Sequence, residues 1–126
     1  DEASAMEKDP SENAYALFIR HFGRIRLGQP DRQVATAWGY WQEKPWQQAI
    51  GRFLAGQIDE EALEQVAREA KTPKELSERL CEMHFYIGMV RLQAGDKSTA
   101  RLRFQASVAT NEKTFIEYTL SEVELK

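Results

Sequence analysis

Cysteine, proline and glycine are scarce in this chain, whose 126 residues include one Cys, four Pro and seven Gly. The single cysteine, Cys81, cannot form an internal disulfide, so a disulfide-stabilised scaffold is excluded. The glycines are scattered and form neither a phosphate-binding loop nor a nucleophile turn. No apolar run approaches the roughly 20 residues that a membrane-spanning helix needs, so we expect no membrane span.

A large excess of charge of one sign is also missing, because the formal net charge is only -3. Nucleic-acid-binding proteins usually carry a strongly basic face, so we expect no nucleic-acid partner. No signal peptide is recognisable. Because the chain begins with Asp1 and not with Met, we expect a processed or shortened form from which a leader or a lipid anchor could have been removed.

Helical periodicity is the main signal in what remains. Residues 1–13 are polar and are predicted to be a flexible N-terminal tail. From residue 14 onward apolar side chains recur at helical spacing, and the alternation typical of strands does not persist anywhere. We therefore predict an all-α fold in which residues 14–126 form a single domain of about six to seven helices, packed as antiparallel pairs.

Local signals mark where two of these helices begin. Thr72 is a suitable N-cap, Pro73 suits the first helical position, and Glu75 completes the capping-box pattern. The predicted helix covers residues 73–94. A last helix is predicted over residues 112–125.

The segment from Cys81 to Val108 has the most specific pattern in the chain. Gly88 lies in the middle of the first predicted helix, where glycine costs roughly 1 kcal/mol relative to alanine. Its presence there predicts that a neighbouring helix approaches closely. Gly95 and Asp96 form the predicted turn, and Ala100 and Phe104 lie one helical turn apart on the second helix.

This spacing resembles the tetratricopeptide repeat, a helix–turn–helix unit of about 34 residues. The clearest repeat covers residues 81–114. The resemblance implies a superhelix of stacked helix pairs that binds other proteins. An ordinary antiparallel helix hairpin is the alternative interpretation.

A longer ordered series of residues is similar to the C-terminal half of the NlpI-type bacterial lipoproteins. The series comprises Trp46, Ile50, Phe53, Leu54, Gly56, Ile58, Cys81, Glu82, Phe85, Tyr86, Ile87, Gly88, Gly95, Asp96, Ala100, Phe104, Phe115, Glu117 and Tyr118. The resemblance implies a non-catalytic adaptor that binds proteins or peptides, scaffolds proteases or envelope enzymes and forms dimers. It favours a periplasmic or envelope-associated location, with a cytoplasmic one left open.

In tetratricopeptide repeats the partner lies in a concave groove lined by the first helix. The resemblance places that groove at Glu82, Phe85, Met89, Leu92 and Gln93. Methionine and phenylalanine adapt to varied partner shapes. The alternative is that Phe85 and Met89 belong to the core.

The last predicted helix carries an apolar face at Phe115, Ile116, Leu120 and Val123. We expect this face to pack against another element. It is a predicted dimer face if that element is a second copy, since two-fold pairing is the commonest oligomer. The preceding repeat is the other predicted partner.

Few residues have the chemistry of a catalytic or metal site. Two histidines, His21 and His84, cannot supply the three or four ligands of a zinc site. We expect no metal, no cofactor and no catalytic residue. Two alternatives remain: a structural or dimerisation module cut from a larger protein, and an enzyme or ligand carrier using Cys81, Glu82 and His84.

Overall fold

The computed structural model describes residues 18–19 and 44–126, and this part of the chain is helical with no strand. The all-α prediction is therefore confirmed for the described residues. Five helices follow one another in these residues: α1 (Pro45–Leu54), α2 (Glu60–Ala67), α3 (Pro73–Gln93), α4 (Lys97–Ala109) and α5 (Ile116–Glu124). Phe18 and Ile19 are also helical.

The chain divides between Asp59 and Glu60 into two compact units. The first contains α1 and the second contains α2 to α5. The predicted tail over residues 1–13 and most of the predicted helices over residues 14–43 lie outside the described residues. The single domain over residues 14–126 and the superhelix of six to seven helices stay predictions.

Helix α1 begins with Pro45 at its first position and ends in a left-handed glycine. Gly56 has φ +79 and donates its backbone N–H to the carbonyl of Phe53 at 3.0 Å. The next N–H, of Gln57, reaches the carbonyl of Arg52 at 2.9 Å. This pair of bonds is a Schellman motif, which satisfies carbonyls left open at a helix end. The side chains that α1 buries are Trp46, Ala49, Ile50 and Phe53.

The predicted start of α3 is confirmed. The Thr72 hydroxyl accepts the backbone N–H of Glu75 at 3.0 Å, and Pro73 is the first helical residue. The Glu75 carboxylate accepts a bond from Arg79, one turn further along the helix, at 2.7 Å. Capping of this kind stabilises a helix by about 1 kcal/mol.

A turn at Gly95 and Asp96 joins α3 to α4, as the sequence predicts. Gly95 has φ +87, a conformation that glycine adopts without steric penalty. Its N–H bonds to the carbonyl of Leu92 at 3.0 Å, and the N–H of Asp96 bonds to that of Arg91 at 2.9 Å. Asp96 then caps α4 by accepting the N–H of Thr99 at 3.2 Å.

Helices α3 and α4 are antiparallel. As the residue number rises along α3, the number of its contact residue on the α4 side falls. Ser77 bonds to Thr110, Cys81 to Ser107 and His84 to Arg103. Further along the same pair, Gly88 of α3 faces Phe104 of α4.

The close approach predicted at Gly88 is confirmed. A Cβ atom added to Gly88 would lie 2.7 Å from Cε1 of Phe104 and 2.9 Å from its Cδ1. Phe104 is 2% exposed and Ala100 is 1% exposed, so the expected small and aromatic residues both lie in the core. Because Gly88 has no side chain, the Phe104 ring can occupy the space next to its backbone.

The last helix begins later than predicted. The sequence pattern predicts a start at residue 112, but α5 begins at Ile116. Asn111 adopts a left-handed conformation with φ 62, which asparagine tolerates better than most residues. At the end of α4, the Asn111 N–H donates a hydrogen bond to the carbonyl of Val108 at 3.0 Å. The N–H of Phe115 bonds to the carbonyl of Glu112. A turn therefore replaces the first predicted helical residues.

Candidate functional site

The predicted partner groove on α3 is largely closed in this structure. Phe85 is 2% exposed, Met89 is 4% exposed and Glu82 is 5% exposed. Leu92 is half-buried and Gln93 is exposed. Phe85 and Met89 are therefore core residues in this conformation, and a partner could reach only Leu92 and Gln93 of the predicted set.

The Phe85 ring lies between two other rings of the second unit. It meets Tyr86 edge to face, with ring centroids 5.1 Å apart, and its centroid lies 6.2 Å from that of Phe104. Such aromatic pairs add about 0.5–1.5 kcal/mol beyond the burial of their area. Phe85 thus stabilises the same helix crossing that Gly88 permits.

An apolar groove that the sequence interpretation missed runs along the outside of the α3–α4 pair. It has a volume of about 430 Å³. Its lining is uncharged apart from the titratable His84 and consists of Pro73, Leu76, Ser77, Leu80, His84, Ala106, Ala109 and Thr110. We refer to this surface as the outer groove. Leu76 and Leu80 lie one helical turn apart, and this spacing was the available signal in the sequence.

A network of ion pairs lies at the His84 end of the outer groove. The carboxylate of Glu60, the first residue of α2, accepts bonds from Arg91 of α3 at 2.7 Å and from Arg103 of α4 at 3.4 Å. Arg91 also lies 3.4 Å from the carboxylate of Asp96. Glu60 therefore connects three helices through one side chain.

His84 belongs to the same network. Its Nδ1 lies 3.1 Å from a guanidinium nitrogen of Arg103. Burial, and then the positive charge of Arg103, lower the pKa of His84 to about 4. The ring is therefore neutral at neutral pH, and Nδ1 acts as the acceptor of the Arg103 bond.

A second polar cluster connects the start of α3 to the turn before α5. The carboxylate of Glu112 accepts hydrogen bonds from Lys74 and from the Ser77 hydroxyl, the latter at 2.8 Å. The bonds from Lys74 and Ser77 hold the pKa of Glu112 below its usual value. These contacts fix the turn that replaces the predicted helical start.

Cys81 is fully buried beside α4. The Ser107 hydroxyl donates to the Cys81 carbonyl at 2.8 Å and lies 3.5 Å from the thiol sulfur. Burial raises the pKa of the Cys81 thiol, which disfavours the reactive thiolate. Cys81 and His84 contact different polar partners, Ser107 and Arg103, so the structure does not join them into a nucleophile–base pair.

Helix α5 places polar side chains, not its apolar face, most deeply against the α3–α4 pair. Its fully buried side chains are Glu117, 3% exposed, and Ser121, 0% exposed. Ile116 and Val123 are each 51% exposed. Phe115 and Leu120 are half-buried. Packing of the predicted face against the preceding repeat is therefore at most partial, through Phe115 and Leu120, and its role as a dimer face stays a prediction.

The buried Glu117 side chain contacts Tyr86 of α3. The Tyr86 hydroxyl donates to the Glu117 carboxylate at 2.7 Å, and Tyr86 is fully buried. Burial raises the pKa of Glu117, and the bond from Tyr86 opposes part of that rise. The Glu117 carboxyl group therefore connects α5 to α3 through this hydrogen bond.

No group of three or more His, Cys, Asp or Glu side chains that could hold a metal ion is found in residues 18–19 and 44–126. In the same part of the chain, no helix has the length and apolar character needed to cross a bilayer. Comparison with known proteins adds no assignment, since no family model and no solved structure matches the chain.

Proposed function

We propose that this chain is a non-catalytic, protein-binding adaptor domain of the tetratricopeptide-repeat type. The close crossing of Gly88 and Phe104, together with the Gly95–Asp96 turn, supports the repeat assignment. The observation that carries the binding function is the outer groove, an open apolar surface of about 430 Å³ between two helices. Exposed apolar surfaces of this kind mark sites of protein interaction.

The dimensions of the outer groove indicate the kind of segment it would accept. Pro73 and Ala109 lie at one end and His84 at the other. The eleven residue steps from Pro73 to His84 span roughly 16 Å of helix. A partner helix of about three turns, with apolar residues at i, i+4 and i+7, matches this length. An affinity in the micromolar range, about -8 kcal/mol, is typical of such a contact.

The groove implied by the family resemblance has a smaller part in this proposal. Leu92 and Gln93 remain accessible and could extend a binding surface. Glu82, Phe85 and Met89 are buried, and replacing them by charged residues would disrupt packing before it tested binding. Scaffolding of proteases or envelope enzymes, and an envelope location, rest on the resemblance to NlpI-type lipoproteins.

The decisive experiment compares two variants of α4 with the same change in charge. Ala109→Glu places a carboxylate in the outer groove, whereas Gln105→Glu places one at an exposed position outside its lining. Partners captured from the source cell by the unchanged protein should be lost with Ala109→Glu and retained with Gln105→Glu. Equal capture by both folded variants would exclude the outer groove as the binding surface.

A structural or dimerisation module is the second candidate. The exposure of Ile116 and Val123 on α5 favours it, because both side chains are half exposed in the monomer. Val123→Glu and Leu120→Glu should then lower the mass measured by analytical ultracentrifugation. An unchanged mass with retained helical content would remove this candidate.

A further inference from the structure

Helix α5 buries two polar side chains more completely than any of its apolar ones. The side chains it buries completely are polar, Glu117 and Ser121, while Ile116 and Val123 lie outside. A surface helix normally buries its apolar stripe, and burial of that stripe supplies most of its stability. α5 gains only part of this stabilisation, from the half-buried Phe115 and Leu120, so its polar contacts weigh more heavily in its docking.

Those polar contacts are incompletely satisfied. The Tyr86 hydroxyl bonds to Glu117 at 2.7 Å. The Ser121 hydroxyl is fully buried and has no hydrogen-bond partner in the part of the chain that the structure describes. A buried hydroxyl without a partner is unfavourable. The last turn of α5 also carries no basic residue that would complement the negative end of the helix dipole.

The groups around Glu117 give its negative charge little support. From α3 it meets the Tyr86 hydroxyl and lies close enough to the Cys81 thiol to influence it, and neither group carries a positive charge. The residue that α4 places beside Cys81 is Ser107, which is uncharged. On α5 itself the other charged side chains are Glu122 and Glu124. In the part of the chain that the structure describes, the influences on the pKa of Glu117 are its burial and the hydrogen bonds from Tyr86 and the backbone, none of which brings a positive charge.

We propose that α5 is a protonation-controlled latch on the α3–α4 hairpin, docked firmly when Glu117 is neutral and loosened when Glu117 is ionised. Burial penalises the ionised form of a carboxyl group far more than the neutral form. The neutral carboxyl can also exchange hydrogen bonds with Tyr86 as donor or acceptor. This inference rests on the α5 contacts alone and does not depend on the adaptor function.

The direction of the pH dependence follows from the burial of Glu117. Because burial raises its pKa in the docked state, the stabilising effect of the neutral form is present at low pH. That effect is lost as the pH rises through the docked-state pKa. Each unit of difference between docked and undocked pKa values corresponds to a tenfold change in the docking equilibrium.

Hydrogen exchange of the full chain tests the latch. The amides of Ile116–Glu124 should be protected at pH 5 and several-fold less protected at pH 8, after correction for intrinsic exchange rates. Glu117→Gln keeps the shape of the side chain but cannot ionise, so its α5 protection should be the same at both pH values. Glu122→Gln removes a charge from an exposed position of the same helix and should behave like the unchanged protein.

Two results would overturn the latch. One is α5 protection in the unchanged protein that does not vary with pH. The other is a Glu117→Gln variant that keeps the original pH dependence. Amides of α3 and α4 serve as the folding control, and they should stay protected in every variant. The pH series on the unchanged protein needs no variant, so the proposal stays testable even if Glu117→Gln does not fold.

Discussion

Replacement of Gly88 by alanine is the sharpest single perturbation of the fold. The added Cβ would lie 2.7, 2.9 and 3.1 Å from three atoms of the Phe104 ring. The ring is 2% exposed, so it has little free space into which to move. Overpacking of a core costs about 1–3 kcal/mol, whereas alanine gains about 1 kcal/mol over glycine inside a helix. We expect a net loss of about 1 kcal/mol in the free energy of unfolding.

The effect of Gly88→Ala on the free energy of unfolding should change sign when the Phe104 ring is removed. In a Phe104→Leu background the clash is relieved, and the helical preference of alanine remains. Gly88→Ala should then be neutral or stabilise the protein by up to about 1 kcal/mol. The coupling energy between the two sites is therefore about 1–2 kcal/mol. Urea unfolding followed by circular dichroism measures all four proteins of this cycle.

Gly95→Ala is the matched control. A Cβ at Gly95 meets nothing within 4 Å, but the residue has φ +87. Its replacement should cost about 1–2 kcal/mol through backbone strain, equally in both backgrounds. The reasoning about Gly88 is refuted if Gly88→Ala stabilises the unchanged protein, or if its effect is the same with and without the Phe104 ring.

Three further outcomes follow from individual contacts. Thr72→Ala should lower stability by about 1 kcal/mol through loss of the α3 cap, measured by urea unfolding, and no change would contradict the cap. His84 has its pKa lowered to about 4, so its contribution to stability is present above its unfolded value near 6.5 and is lost as the pH falls towards 4. Its NMR titration should show this low midpoint, and a midpoint near 6.5 would contradict the burial of the ring and its contact with Arg103. Native Cys81 should react slowly with iodoacetamide at neutral pH and rapidly in urea, whereas a fast native reaction would favour the enzyme alternative.

Structural features that depend on residues adjacent in the chain could be predicted from the sequence. Thr72 and Pro73 start a helix because their own backbone chemistry suits its first turn. Gly95 ends one because of its positive φ. Gly88 was also interpretable, since a glycine inside an apolar helix has an energetic cost that close packing explains. These features establish the hairpin without knowledge of the rest of the fold.

Features that depend on distant contacts were not accessible. The pattern of Ile116, Leu120 and Val123 predicts a face that packs against another element without showing which one, whereas the bond from Tyr86 directs Glu117 towards the α3–α4 pair. That partner lies 31 positions earlier in the chain. The outer groove was missed for a similar reason. The spacing of Leu76 and Leu80 marks one wall of the groove, but the other wall comes from Ala106 and Ala109 of α4, which a local pattern cannot place opposite them.

The account depends most directly on the crossing of α3 and α4 at Gly88. Nuclear Overhauser effects between the Gly88 α protons and the aromatic protons of Phe104 measure that crossing in solution. Strong cross-peaks from both α protons, or from the one that replaces the missing side chain, are the predicted result. Gly88 α protons that show contacts only within their own helix would contradict the crossing and, with it, the repeat-type interpretation of the chain.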